Sequence, residues 1–293
     1  MINFQKEQGR SVKKISRILS KVSKIIDKKI IKLFMHKQHR HSKLVDAMLY
    51  SSLSKGKKIR PFLVFASASA LGVKPLKMLN IAVSLELIHV YSLIHDDLPA
   101  MDDDDFRRQQ KSCHKKFDEA TAILAGDSLL TYAFEILSNN NNIFDAEIRC
   151  EIMFIISRAI GFNGMAGGQM LDLDNKNNII PIEEVIKIQK LKTGKLFAAC
   201  IECSLIVSKV NEEEKYIFRE YINNFGLIFQ IKDDIDDYLQ AKSLNKEVGE
   251  MNIVNLVGLK KAKQKVQEIQ HDINIILEKA SFKTDLFREL CYL

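Results

Sequence analysis

The densest chemistry in this chain is acidic. Asp96, Asp97, Asp102, Asp103, Asp104 and Asp105 place six carboxylates within ten residues, and Arg107-Arg108 follow directly. So many like charges repel one another and destabilise a helix end unless cations draw them together. Pro99 predicts that the helix stops at or before Leu98, leaving Asp102 on a turn that can fold back toward Asp96. A second run, Asp233-Asp234-Ile235-Asp236-Asp237, sets Asp233 and Asp237 at i, i+4 on one helix face. Such carboxylates suit a divalent ion, and Mg²⁺ above Ca²⁺, because magnesium takes one or two carboxylates with waters and phosphate oxygens, whereas calcium needs a fuller oxygen cage. Two clusters of this kind suggest a diphosphate clamped between them. A charge run is ordinarily solvated surface, but solvated acids rarely end helices as apolar as Ile81 to Ile94 and Phe225 to Ile231.

Cations that complement a diphosphate lie elsewhere. In Gly56-Lys57-Lys58-Ile59-Arg60-Pro61 a glycine turn and basic residues precede a helix whose first position is read as Pro61, and a helix N-terminus with Lys and Arg suits an anion. His89, Ser92 and Asp96 form a polar stripe at i, i+3, i+7 that leads to the first aspartates. Lys192-Thr193-Gly194 interrupts an apolar helical pattern, so a break there offers a cation, a hydroxyl and backbone groups to an oxyanion. Each motif alone is weak, with an exposed basic turn or a structural histidine as the ordinary alternative; together they are mutually consistent.

The elements that must hold these groups are helices. The chain has 293 residues, 46% hydrophobic and 28% charged, with only 12 Gly and 4 Pro and no strand-like alternation. Breaks near Gly56, Gly72 to Pro75, Pro99, Asn139 to Asn142, Gly161 to Gly168, Asn175 to Pro181 and Ser243 to Asn255 leave room for about ten helices. Without any linker rich in Gly, Ser or Pro, residues 1–293 are read as one domain. Leu93-Ile94-His95-Asp96-Asp97 is echoed by Gln230-Ile231-Lys232-Asp233-Asp234, as if two helices present acids to one cavity.

Net charge +7 and pI near 9.0 raise the question of nucleic acid. Lys, Ile and Asn are abundant throughout and no aromatic-basic recognition pattern accompanies them, so a nucleic-acid partner is not expected. Five cysteines, an odd number, argue against a secreted disulfide framework and for a reducing cytoplasm. Cys200-Ile-Glu-Cys203 lies in an apolar run and reads as buried helix rather than a zinc or redox site. Pro61 to Val73, the longest uncharged apolar run, falls short of the roughly 20 residues that span a bilayer, so no stable membrane insertion is expected. The Lys-rich N-terminus lacks signal-peptide character, and Ile15, Ile18, Leu19, Val22, Ile25 and Ile26 recur at helical spacing.

With both aspartate clusters, the GKKIRP turn, Arg107-Arg108, Gly167-Gly168-Gln169-Met170-Leu171-Asp172-Leu173 and Lys192-Thr193 in this order, the chain resembles the trans-prenyl diphosphate synthases from about Ser42 to Lys263. Ser92 to Arg108 and Cys113 to Leu130 look particularly like the bacterial farnesyl diphosphate synthases. The resemblance implies an all-α isoprenoid synthase fold, a single large antiparallel helix bundle around a central cavity, working as a cytoplasmic homodimer. It implies Mg²⁺ held by Asp96, Asp97 and Asp102 and by Asp233, Asp234 and Asp237, with Lys192 also catalytic. Arg107, Lys192, Thr193, Gln230 and Lys246 would contact the allylic diphosphate, while Gly56, Lys57, Arg60, His89 and Arg108 would hold isopentenyl diphosphate. Tyr91, about 7.5 Å along the helix from Asp96, would stop chain growth near fifteen carbons. Gln109-Gln110 stands where the family has Gly, Lys55 replaces the first Gly of a GGK turn, Asn245 replaces the Gly of a GK pair, and Tyr238 to Leu259 is shorter than the family's segment.

Rival readings follow from the same residues. A geranyl or geranylgeranyl diphosphate synthase differs only in product length. A terpene cyclase would not need the GKKIRP turn, and a non-catalytic regulatory subunit would be expected to have lost metal ligands. A basic nucleic-acid-binding protein would bind with strong salt dependence and transfer no prenyl group.

Overall fold

Leucine, isoleucine and valine fill the segment 79–96 on nearly every side, and the physical consequence is a helix with no solvent face: every residue from Ile81 to Ile88 is buried, including Ser84 and Glu86. The computed structural model describes residues 2–35, 43–139, 143–176, 178, 180–208, 210–244, 249 and 251–293, with side chains from Lys13 onward. The chain divides into two compact units, Lys13–Met153 and Phe154–Leu293, the latter grouped with the first residues of the chain.

The first unit holds α1 (Ile2–Met35) from Lys13 onward, α2 (Lys43–Ser52), α3 (Ile59–Ala70), a 3-10 turn (Pro75–Met78), α4 (Leu79–Asp96), β1 (Phe106–Arg107), β2 (Gln110–Lys111), α5 (Cys113–Lys116) and α6 (Glu119–Ser138), and α7 (Ala146–Ile160) carries the chain out of it. Ser84 Oγ donates to Ala133 O at 3.0 Å while His95 lies against Ile123 O at 3.1 Å, so α4 and α6 run antiparallel. Small residues Ala122, Ala125, Gly126 and Ala133 on the buried face of α6 permit the approach. By length and composition Pro75–Asp96 and Glu119–Ser138 are apolar enough to cross a bilayer, although charged residues interrupt both and neither forms a single uncharged run; 61% and 44% of their apolar windows are buried inside the protein. Asp118 caps α6 by accepting from Thr121 N at 2.7 Å, and Lys43 and Thr121 hold its carboxyl down at about 2.

The second unit holds α8 (Met165–Asp174), α9 (Ile182–Gln189), a π-helical turn (Lys190–Gly194), α10 (Lys195–Val207), α11 (Glu212–Ser243), α12 (Ile253–Val257), α13 (Leu259–Glu278) and α14 (Asp285–Leu290). Its core is aromatic: Phe197 of α10 meets Phe225 and Phe229 of α11 at 5.5 and 5.1 Å, and Phe218 stacks on Phe282 at 4.2 Å. Tyr221 donates to Phe287 O at 3.2 Å, tying α14 to α11. Asn211 caps α11, and Glu212, Glu213 and Glu214 fill its first turn, where the helix dipole favours acids.

The all-α expectation holds, with differences in detail. Among the described residues fourteen α-helices replace about ten, because α5, α12 and α14 are too short to show a period. α3 starts at Ile59 rather than Pro61, so proline occupies the third position, where its missing N–H is still unneeded. Phe106–Lys111 forms a small antiparallel hairpin that no strand-like pattern announces. Lys190–Gly194 is a widened π turn running from α9 into α10 rather than a break. Cys200 and Cys203 are buried in α10, and all five cysteines are free.

Candidate active site

In the first unit the acids gather at the C-terminal end of α4, the negative end of its dipole and a poor place for carboxylates. Local backbone and nearby cations make the arrangement tolerable. α4 ends at Asp96, Asp97 caps it, and the amide of Asp102 donates to Asp96 O at 2.9 Å, which is the expected fold-back. Asp97 is 2% exposed and receives Arg107 Nε at 2.8 Å, while the Arg107 Nη2 nitrogen reaches both Asp97 and, at 2.9 Å, Asp104. Burial raises the Asp97 carboxyl above its ordinary value and the Arg107 guanidinium opposes that shift. Lys115 balances Asp105 at 2.9 Å.

The hairpin divides two consecutive arginines. Arg107, on β1, faces the acids, whereas Arg108, in the turn, directs Nη1 to Ser54 Oγ at 3.3 Å and Nη2 to His89 Nε2 at 3.4 Å. Gly56 leaves room for that approach, because a Cβ there would fall 2.5 Å from Arg108 Nη1 and push the guanidinium aside. Burial, then Arg60, Arg108, Lys58 and Arg107, hold the His89 imidazole well below its usual value, so it is neutral at pH 7 and can accept a hydrogen bond from a guanidinium. Arg60, His89 and Arg108 thus form a cationic cluster. Lys57, next to Gly56 in the chain, is exposed. Lys58, in contrast, is 3% exposed and structural: its ammonium lies 3.1 Å from Glu86, 3.7 Å from Asp27 and 2.8 Å from Ser52 O. Tyr91 packs edge-on against His95 with centroids 5.7 Å apart, and burial with Asp96 pushes its hydroxyl up to about 12. Gly126 leaves room for His95, since a Cβ there would sit 2.1 Å from Nε2.

In the second unit the acids lie on α11. Asp233 and Asp237 are exposed, one turn apart, while Asp234 is 7% exposed and held by three donors: Ile253 N at 2.9 Å, Gln230 Nε2 at 3.1 Å and Gln189 Nε2 at 3.3 Å. Burial raises the Asp234 carboxyl and these donors oppose the shift. On the π turn, Lys192 Nζ lies 2.6 Å from Asp172 Oδ2 and Thr193 Oγ1 donates to Gln230 Oε1 at 3.2 Å. Gly168 lets α8 press on that turn, for its Cβ would meet Lys192 N at 2.3 Å. Thr193 and Asp234 are therefore joined through Gln230, which bonds both, and Lys192 precedes Thr193 on the same turn. Lys246 lies outside the described residues.

Sequence reasoning singles out the ligand candidates but not the contacts through which Ser54, Lys58, Asp172 and Gln189 hold their surroundings. One signal points to the role of Lys58. Glu86 is a lone carboxylate inside the apolar run of α4, and such a group demands a buried cation. The oxygen-only donor set suits magnesium in both units, with Asp96 and Asp102 drawn together by a backbone bond and Asp233 and Asp237 on one face.

Residues 41–286 match the family model described as polyprenyl synthetase. The chain is 36% identical over 285 residues to a farnesyl diphosphate synthase of Haemophilus influenzae, covering 94% of this chain and 95% of that one. Among solved structures it resembles a geranyltransferase from Legionella pneumophila with TM-score 0.86 and 34% identity, covering 96% of each chain. It also resembles an FPP/GFPP synthase from Zymomonas mobilis, in its apo structure, with TM-score 0.84 and 33% identity over 96% of this chain and 98% of that one. These likenesses give the all-α architecture its name, the isoprenoid synthase fold. The chain belongs to the polyprenyl synthetase family and is a short-chain prenyltransferase.

Proposed function

We propose that this prenyltransferase makes farnesyl diphosphate by head-to-tail condensation of isopentenyl diphosphate with dimethylallyl or geranyl diphosphate. The observation that carries the reading is the division of Arg107 from Arg108: adjacent arginines serve an acidic cluster suited to a metal-bound diphosphate and a separate cationic cluster suited to a second diphosphate. A terpene cyclase has no use for the cationic cluster.

Asp96, Asp102, Asp233 and Asp237 would hold Mg²⁺, whereas Asp97 and Asp234, which the resemblance also implies as ligands, are engaged in buried hydrogen bonds and would serve chiefly to fix the geometry. Bound magnesium would neutralise charge on the departing diphosphate. Arg107, Lys192, Thr193 and Gln230 would bind oxygens of the allylic diphosphate as its C–O bond ionises, and Lys246 is assigned there by resemblance alone. Gly56, Lys57, Arg60, His89 and Arg108 would hold isopentenyl diphosphate, whose olefin attacks the allylic cation. Fixed donors that meet charge as it develops lower such a barrier. The final proton would leave to the released diphosphate. Both motif sets are needed, so residues 1–293 are read as one working domain, in a cytoplasmic homodimer.

The test is an incubation with Mg²⁺, isopentenyl diphosphate and either primer, with product length read by chromatography. A C15 product is expected. Arg108→Gln should raise KM for isopentenyl diphosphate more than for the primer, and Arg107→Gln should do the reverse; equal effects on both substrates would remove the two-cluster assignment. Tyr91→Ala should lengthen the product, and an unchanged distribution would reject Tyr91 as the floor. The likeness to an FPP/GFPP synthase supports a second reading, in which the product runs past fifteen carbons.

A further inference from the structure

Beside the substrate aspartates, Asp103, Asp105 and His114 offer two carboxylate oxygens and a ring nitrogen that all lie within 4.8 Å of one another. None of the three has a role in the reaction proposed above. Exposed carboxylates cluster often without a ligand, so the histidine decides the matter. His114 is only 7% exposed, and its Nε2 is buried with no hydrogen-bond partner among the described residues. Leaving such a nitrogen unsatisfied costs about 1–3 kcal/mol, which a protein tolerates where something else completes the site.

The local structure holds the three donors in place. Ser112 Oγ lies 3.2 Å from His114 Nδ1 and donates to Asp105 O at 3.3 Å, so one hydroxyl ties the ring to the backbone of an acidic partner. With Nδ1 engaged by Ser112, Nε2 is the nitrogen left for a ligand, in the manner of metal-binding histidines whose other nitrogen is fixed by a neighbour. Lys115 sits 2.9 Å from Asp105 and 3.9 Å from Asp103, so it supplies one positive charge against two negative ones and demonstrates that the pair attracts a cation.

We propose that Asp103, Asp105 and His114 form a second metal site, separate from the substrate magnesium sites and selective for a borderline divalent ion such as Zn²⁺. One imidazole with two carboxylates suits zinc, whereas magnesium prefers oxygen donors and retains its waters. Occupancy displaces the Lys115 ammonium from the two carboxylates. It also clamps residues 103 and 105, which flank Asp104, a partner of Arg107. A zinc ion there restrains Arg107 and inhibits turnover in the presence of saturating magnesium.

The experiment is calorimetric titration of Zn²⁺ into the intact protein in excess Mg²⁺, alongside prenyl transfer assayed at the same zinc concentrations. Wild type should bind one zinc per chain that magnesium does not displace. His114→Gln should abolish that binding, and the exposed Asp105→Asn, which leaves the core untouched, should weaken it at least tenfold. Asp96→Ala should retain it. Inhibition by zinc should disappear in His114→Gln and need at least tenfold more zinc in Asp105→Asn. Zinc binding that survives both His114→Gln and Asp105→Asn, or that is lost instead in Asp96→Ala, overturns the proposal.

Discussion

Arg108 and Gln109 both occupy the left-handed region, at φ 53 and 68, which is the geometry of a tight two-residue hairpin turn. Glycine or asparagine adopts that conformation readily, and a residue with a longer side chain adopts it at a cost of about 1–2 kcal/mol. Arg108 accepts the strain because its guanidinium must reach Ser54 and His89. Gln109 is exposed, and no hydrogen bond of its side chain is seen among the described residues. Gln109→Gly should therefore stabilise the fold by about 1 kcal/mol, read as a higher denaturation midpoint, with the KM values unchanged; a lower midpoint would show that Gln109 makes a contact worth more than its strain. His89 gives a second prediction at this scale. Its folded-state pKa lies well below 6.5, so below pH 6.5 the unfolded chain takes up a proton that the folded chain resists. That contribution to stability is complete above pH 6.5 and is lost as pH falls toward the folded value. His89→Gln should flatten the acid limb of a stability-against-pH curve, and an identical slope in both proteins would mean that other groups govern it.

Helices buried on all sides announce themselves in sequence, which is why α4 and the apolar stretch of α11 are legible from residue types alone. The fold-back of Asp102 is legible too, because proline leaves the chain few choices after Leu98. The hairpin is not, since its strands are two residues each and its turn lacks the glycine that usually marks one. Nor are the positioning contacts, which join residues far apart in the chain: Gln189 to Asp234 across 45 positions and Ser54 to Arg108 across 54. Sequence spacing reports what one element can place on one face and is silent about what another element brings to it. The π turn illustrates the point. Lys192-Thr193-Gly194 reads as a break, yet the chain stays helical and widens, and α8 presses on the turn through Gly168. Gly168→Ala would drive a methyl group into Lys192 N, which can yield only by moving the turn or α8, at a cost of about 1–3 kcal/mol. The turn carries Lys192 and Thr193, so kcat should fall well beyond what the loss of stability explains. A variant as active as wild type would mean that the position of the turn is immaterial to the reaction.

Across the whole chain, the two aspartate motifs belong to different compact units, residues 13–153 and 154–293, and neither unit carries the full set of acids and cations that the proposed reaction uses. If both motifs stabilise one ionisation, they act as a single device and their losses cannot multiply. Asp102→Ala and Asp237→Ala should each lower kcat by about 10²–10³, the usual effect of removing one preorganised stabilising group. The double variant should then fall no more than about tenfold below the worse single one, because groups that act as a unit are strongly non-additive. Multiplied losses would instead place the motifs in separate steps, with independent contributions that sum in free energy. The cycle needs only steady-state rates at saturating substrate and excess Mg²⁺. Its answer bears on the division of the chain itself: non-additivity would make the two units halves of one catalyst, whereas additivity would leave each with its own part of the reaction.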